Sequence, residues 1–225
     1  MLLHSIVWRI AFEKLPQVNI GLKLDLITFA TVKKNLYIIA GCNGSGKTTA
    51  SFTILPEILD CKEFVNADEI AKGLSPFRPE KVSIEAGRIM LKRINELLET
   101  NENFAFETTL ATKTYQSKIA EAKGKNYHVT IIFFWLQNVD LAIERVKTRV
   151  LEGGHNIETE VIKRRYINGI KNLFEIYLPI ADELMIFDNS EGKHDLIAKK
   201  TLETEIEIIN EIKFIKLKNY YHENA

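Results

Sequence analysis

An α/β fold, with a mostly parallel sheet of five to six strands and helices on both faces, is what this sequence predicts. Three observations predict it. Short apolar runs ending in small or polar residues recur along the chain. Segments with helical spacing lie between them. The first run leads through a glycine-rich turn directly into helix-forming sequence. Strand alternating with helix implies a sheet covered on both faces.

The apolar runs are LYIIAG (36–41), EFVNA (63–67), FAFE (104–107), HVTIIFFWL (128–136) and ELMIFDNS (183–190). The helical spacing is clearest in EKVSIEAGRIMLKRINELLE and around VDLAIERVKTRVLE. In such folds ligands collect beyond the carboxyl ends of the strands, so the residues just after each run are the places to look for chemistry.

After the first run, Gly41, Gly46, Lys47 and Thr48 fit GxxxxGK[ST] without departure. A chance match in a chain this long has a probability of roughly one in a hundred. The position between a strand and a helix sharpens the match. Glycines let backbone amides turn inward around a β-phosphate, and the helix amino end adds its dipole. Lys47 reaches the β and γ oxygens, and Thr48 is the expected magnesium ligand. A nucleoside triphosphate, ATP or GTP, is the expected ligand of a P-loop NTPase fold.

After the second run, Asp68 stands where a strand hands over to a helix, and two roles compete for it. Aspartate is a common N-cap. An acid above this strand can instead take the proton from an attacking hydroxyl. After the third run, Glu107 is followed by Thr108 and Thr109. A carboxylate there could join a magnesium shell or hold a substrate hydroxyl, and the threonines could donate to a polar substrate.

The fourth run is followed by RVKTRVLEGGHNIETEVIKRRY, residues 145–166. Helical spacing breaks at Gly153 and Gly154 and resumes near Glu158. Charge runs are usually solvated helix faces. Two arginine-bearing helices about a glycine hinge can also fold over a triphosphate as a lid, where an arginine is worth about a thousandfold in rate. His155 is given no chemistry.

Composition sets the outer limits. The chain has 225 residues, 46% of them hydrophobic, enough for one domain with a full core. Lysine plus arginine and aspartate plus glutamate stand at 30 each, so net charge offers no steering toward nucleic acid or an anionic membrane. The two cysteines, Cys42 and Cys61, suit neither a disulfide scaffold nor a zinc site. No apolar run is long enough to span a bilayer, and a cytoplasmic protein is expected. Residues 1–32 have no place in the predicted fold. One expectation is that Val32 is a misread initiator and that residues 33–225 form a single domain. At the other end, TEIEIINEIKFIKLKNYY alternates and then turns helical, as an edge element would.

Taken in order, GCNGSGKTT, NADE with the following GLSP, AGR at 86–88, FAFETTL, RVKTRVLEGGH with RRY, and DNS at 188–190 resemble the zeta toxin family of P-loop kinases. GGH and RRY are similar to its short chromosomal branch, often labelled predicted ATPases. The resemblance implies transfer of the γ-phosphate of ATP, with Mg2+, to a sugar hydroxyl of UDP-N-acetylglucosamine or a similar nucleotide sugar. It also implies an antitoxin protein as partner. It makes Asp68 the general base, Lys47 the phosphate clamp, and Arg149 with Arg164 the lid arginines. ATP would be held by Gly41, Asn43, Gly44, Ser45, Gly46, Lys47, Thr48, Thr49, Arg165 and Asn189. The acceptor would meet Asp68, Glu69, Arg88, Glu107, Thr108 and Thr109. Two other classes stay open: a nucleic-acid end kinase, against which the zero net charge argues, and a nucleotide-switched ATPase acting through a binding partner.

Overall fold

The computed structural model describes residues 33–202 and 204–224. The expectation about residues 1–32 lies outside them. Seven strands form one sheet: β1 (Lys34–Gly41), β2 (Glu63–Val65), β3 (Phe104–Thr108), β4 (Tyr127–Trp135), β5 (Glu183–Asp188), β6 (Asp195–Thr201) and β7 (Thr204–Ile208), in the order β2-β3-β1-β4-β5-β6-β7. The first five are mutually parallel, and β6 and β7 run antiparallel at one edge. The sequence reading of five to six strands is therefore short. The strand without a reading in the sequence is β6, whose short apolar stretch Leu196–Ala198 runs into Lys199 and Lys200; β7 is the alternating edge element, with Glu205 and Glu207 on one face. Charge of this kind keeps an edge from pairing with another chain.

The period of two along each strand divides the core. Leu36, Ile38, Phe104, Phe106, Val129, Ile131, Phe133 and Trp135 face one side. Tyr37, Ile39, Ala105, Ile132, Phe134, Met185 and Phe187 face the other. The second side is covered by α1 (Lys47–Glu57) through Ala50, Ile54 and Leu55. After α1 come the short α2 (Ala67–Leu74) and a 3-10 turn at Pro79–Val82. The first side takes α3 (Ser83–Thr100), α4 (Thr114–Gly124), α5 (Val139–Leu151), α6 (Thr159–Asn172) and α7 (Glu211–Asn224).

Beyond Asn172, α6 widens into a π-helical turn at Leu173–Tyr177 and closes at Leu178–Ile180. Two side chains at the edges of this turn reach the loop after β3. Asn172 Nδ2 donates to Leu110 O at 2.7 Å, and Tyr177 Oη donates to Thr112 O at 2.6 Å. Leu110 itself has a φ of +55°, strained for a branched side chain, and is fully buried. No helix among the described residues is long and apolar enough to cross a membrane.

Candidate active site

The ends of β1, β2 and β3 converge because these strands are neighbours in register, Ile39 beside Glu107 and Phe64 beside Ala105. Parallel pairing brings the three strand-end sequences to one edge of the sheet. The glycine-rich turn fills the space above β1. Gly46 has a φ of +86°, and a Cβ there would lie 2.4 Å from Asn189 Nδ2. Only glycine avoids both the strain and the clash.

Lys47 is buried. Its ammonium donates to Cys42 O at 2.7 Å and stands 3.7 Å from Glu107 Oε1. Glu107 Oε2 accepts from Thr48 Oγ1 at 2.8 Å and from Asn66 Nδ2 at 2.9 Å. Burial pushes the Glu107 carboxyl above the ordinary carboxylate range. Lys47 and the Thr48 hydroxyl pull it back, and the nearby Asp68 adds to the rise. Cys42, enclosed beneath the loop, has its thiol pushed up to about 11 by burial and is no nucleophile at neutral pH.

Asp68 is not the cap of α2. Asn66 is the N-cap: its Oδ1 accepts from the Asp68 amide at 2.8 Å and the Glu69 amide at 3.4 Å. Asp68 therefore sits inside the first turn with its side chain free to face the cleft.

That cleft has two lobes. A lobe of about 210 Å³ is lined by the loop residues Asn43, Gly44 and Gly46, by Thr48 and Thr49, and by Arg145 and Arg149. The second, about 310 Å³, is lined by Thr108, Thr109, Tyr115, Arg164, Arg165 and Asn168, among others. Asn43, Lys47, Asp68 and Glu107 line both. Arg165 reaches back to Asn43 Oδ1 at 3.1 Å, and burial lowers its pKa against the pull of Asp68.

Five expected site residues line neither lobe, and Arg165, expected at ATP, lines the second lobe rather than the first; Gly41, at the end of β1, is buried beneath the turn. Arg88 is exposed on α3 and lines neither lobe. The buried positions around it are Ala86 and Met90. A residue two places from each is turned about 200° away at 100° per residue. Glu69 pairs with Lys72 at 2.6 Å and lines a separate groove with Phe52 and Phe64. One step along α2 from Asp68 moves it off the cleft. Asn189 is buried behind the turn, donating from Nδ2 to Ser45 O at 2.8 Å, so it shapes the loop without lining the phosphate lobe. Ser45 is itself fully buried beneath the turn. Sequence reasoning missed Asn66, Tyr115 and Asn168 of the second lobe, and Arg145 of the first. Arg145 lines the phosphate lobe and donates from Nη2 to Asn189 O at 2.9 Å and Ser190 O at 2.8 Å. Its signal was present, since it lies one helical turn before Arg149 on the same face.

The sequence-family model described as Zeta toxin matches residues 25–201. A Haemophilus influenzae protein described as uncharacterised is 29% identical over 144 residues, which are 60% of this chain and 99% of that relative. Among solved structures, the AvrRxo1-ORF1:AvrRxo1-ORF2 complex with sulphate ions superimposes with a TM-score of 0.66 at 15% identity. The same complex with ATP gives 0.66 at 16%. Both cover 82% of this chain, which spans 63% of theirs. The chromosomal PezAT toxin-antitoxin system of Streptococcus pneumoniae superimposes with a TM-score of 0.58 at 14% identity, over 98% of this chain and 95% of that one.

Proposed function

The chain belongs to the zeta toxin family of P-loop kinases, and from that premise we propose that it transfers the γ-phosphate of ATP to a sugar hydroxyl of UDP-N-acetylglucosamine or a similar nucleotide sugar. We propose further that it is the toxin of a toxin-antitoxin pair, acting in the cytoplasm. One observation carries the reading: a phosphate-side lobe and an acceptor-side lobe meet at a wall made of Asn43, Lys47, Asp68 and Glu107. A phosphoryl group passing between two bound molecules needs such a shared wall, with a cation for the phosphate and a base for the hydroxyl.

The roles follow from position. The amides of the turn and Lys47 hold the β and γ phosphates. Arg149, beside Arg145 in the phosphate lobe, spreads the charge of the transferring group. Asp68 takes the hydroxyl proton as the new oxygen–phosphorus bond forms and the bond to the β-phosphate oxygen breaks. Thr108, Thr109, Tyr115, Asn168 and Arg164 face the acceptor. The Thr48 hydroxyl and Glu107 carboxylate, 2.8 Å apart, are oxygen donors of the kind a hard divalent cation takes. Mg2+ bound there would neutralise charge on the β and γ oxygens. Thr48 can keep donating its proton to Glu107 while a lone pair of the same oxygen meets the cation. The AvrRxo1 complex with ATP and the PezAT system lend support to the nucleotide and to an antitoxin partner.

The test incubates wild type and Asp68→Ala with ATP, magnesium and a panel of UDP-sugars, nucleosides, nicotinamide nucleotides and oligonucleotides, read by mass spectrometry for added phosphate. A UDP-sugar should gain phosphate, and the variant should lose about 10²- to 10⁴-fold in rate with ATP binding retained. Phosphate on oligonucleotide ends would replace the reading with an end kinase. ATP turnover indifferent to every acceptor would replace it with a nucleotide-switched binding module.

A further inference from the structure

Between α5 and α6 the chain packs against both halves of the site. Gly154 lies flat on Arg149, where a Cβ would stand 2.8 Å from Arg149 Cγ and 2.8 Å from its carbonyl oxygen. Arg149 Nη2 in turn donates to His155 O at 3.5 Å. The imidazole lies inward. The His155 side chain is only 11% exposed, although its neighbours Gly153 and Asn156 are exposed. Its Nε2 lies 3.9 Å from Asp68 Oδ2. Among the described residues the Asp68 carboxylate makes no hydrogen bond; Arg165 pulls on it across the cleft, and this imidazole approaches it from the other side of the hinge.

We propose that His155 is a positioning residue for Asp68: as the cleft closes on its substrates the Nε2, now 3.9 Å away, comes into reach and donates to one carboxylate oxygen, leaving the other for the acceptor hydroxyl. The inference rests on the kinase reading above and adds a coupling to it. The segment that fixes Arg149 on the phosphate side also aims the base on the acceptor side, so the two are aligned together. A base off its line by about 1 Å loses on the order of a hundredfold in rate.

The charges facing His155 are Asp68 and Lys72 from α2, Arg149 from α5 and Glu80 from the 3-10 turn. Burial is the largest influence and lowers the imidazole pKa, Asp68 and Glu80 raise it, and Arg149 and Lys72 lower it. The balance is downward, which keeps the ring neutral at neutral pH. Acidification through this lowered value places an imidazolium beside the base and weakens its hold on a proton. Transfer should therefore fall on the acid side through His155.

Two measurements test this. The first is an NMR titration of the His155 ring in nucleotide-free wild type and Asp68→Asn. Loss of the carboxylate should move the titration to lower pH, and superimposable curves would overturn the pairing. The second follows ADP release and phosphate transfer with Mg·ATP and UDP-N-acetylglucosamine against pH. His155→Ala should lower kcat at least tenfold with the KM for ATP little changed, and should lose the acid limb belonging to the ring. His155→Gln, whose amide can donate to the carboxylate, should recover part of kcat and also lack that limb. Wild-type kcat and pH profile in both variants would overturn the inference while leaving the kinase reading intact. A wild type that neither transfers phosphate nor releases ADP would sink the kinase reading, and this inference with it. If His155→Ala unfolds, the glutamine variant and the titration decide.

Discussion

Replacing Asn189 by alanine tests whether the phosphate-binding turn is shaped from behind by a residue that never touches phosphate. The bond from Asn189 Nδ2 to Ser45 O is 2.8 Å long, and both residues are buried. Asn189 Oδ1 is buried with no hydrogen-bond partner, so the substitution removes one bond and no other. Leaving the Ser45 carbonyl unsatisfied in the interior costs about 2 kcal/mol. For a domain of this size that is a fall in Tm of about 4–8 °C. The same bond presses the amide against Gly46, so its loss frees the turn to relax. If the whole ~2 kcal/mol favours the phosphate-ready shape, ATP affinity falls by up to about 30-fold. Urea unfolding of the nucleotide-free protein measures the first effect, and displacement of a fluorescent ATP analogue measures the second. A stability change below about 0.5 kcal/mol, or weakened ATP binding without any loss of stability, would refute the reasoning. The second result would put Asn189 in direct contact with nucleotide.

Two further predictions concern the charges of the phosphate side. Arg149→Ala should lower kcat by about 10³-fold, since the guanidinium acts on charge that develops in transfer, and single-turnover kinetics should show ATP binding far less affected. Glu107 should oppose folding once it ionises. Its folded-state pKa is raised, so the folded protein binds the proton more tightly than the unfolded chain. Stability of the nucleotide-free protein should rise as pH falls from that raised value toward the ordinary carboxylate range. Glu107→Gln should remove this slope, and urea midpoints between pH 7 and 4 would show an unchanged slope if the assignment is wrong.

The strand ends were legible in the sequence because parallel strands buried on both faces are near-continuous apolar runs, and each run points at its own last residue. Lys47, Thr48, Asp68 and Glu107 were found in this way, and the structure brings all four to the first lobe, three of them to the wall it shares with the second. Side-chain direction within a helix was harder to read. Glu69 and Arg88 belong to motifs that run through the site, yet each is turned away from it by the helical twist of 100° per residue. Arg145 and His155 were missed for a different reason. Their partners, the backbone of residues 189 and 190 and the carboxylate of Asp68, are 44 residues or more distant for Arg145, and sequence spacing says nothing about such pairs. Of the two antiparallel strands, β7 was legible as the alternating edge TEIEI, whereas β6 escaped because its apolar stretch, Leu196 to Ala198, is short and runs straight into Lys199 and Lys200.

Asn66 shows why the motif around it must be read as a unit. Its Oδ1 caps α2, which leaves the Asp68 carboxylate uncommitted. Its Nδ2 donates to Glu107 Oε2, the oxygen that also accepts from Thr48. One amide thus connects Asp68, the buried carboxylate and the hydroxyl that opens α1. Aspartate at this position would still cap the helix, but it would set a second negative charge against a carboxylate whose pKa burial has already raised. Serine would cap and yet not reach Glu107. Only a side chain with an acceptor on one arm and a donor on the other does both, and asparagine is the shortest that has them.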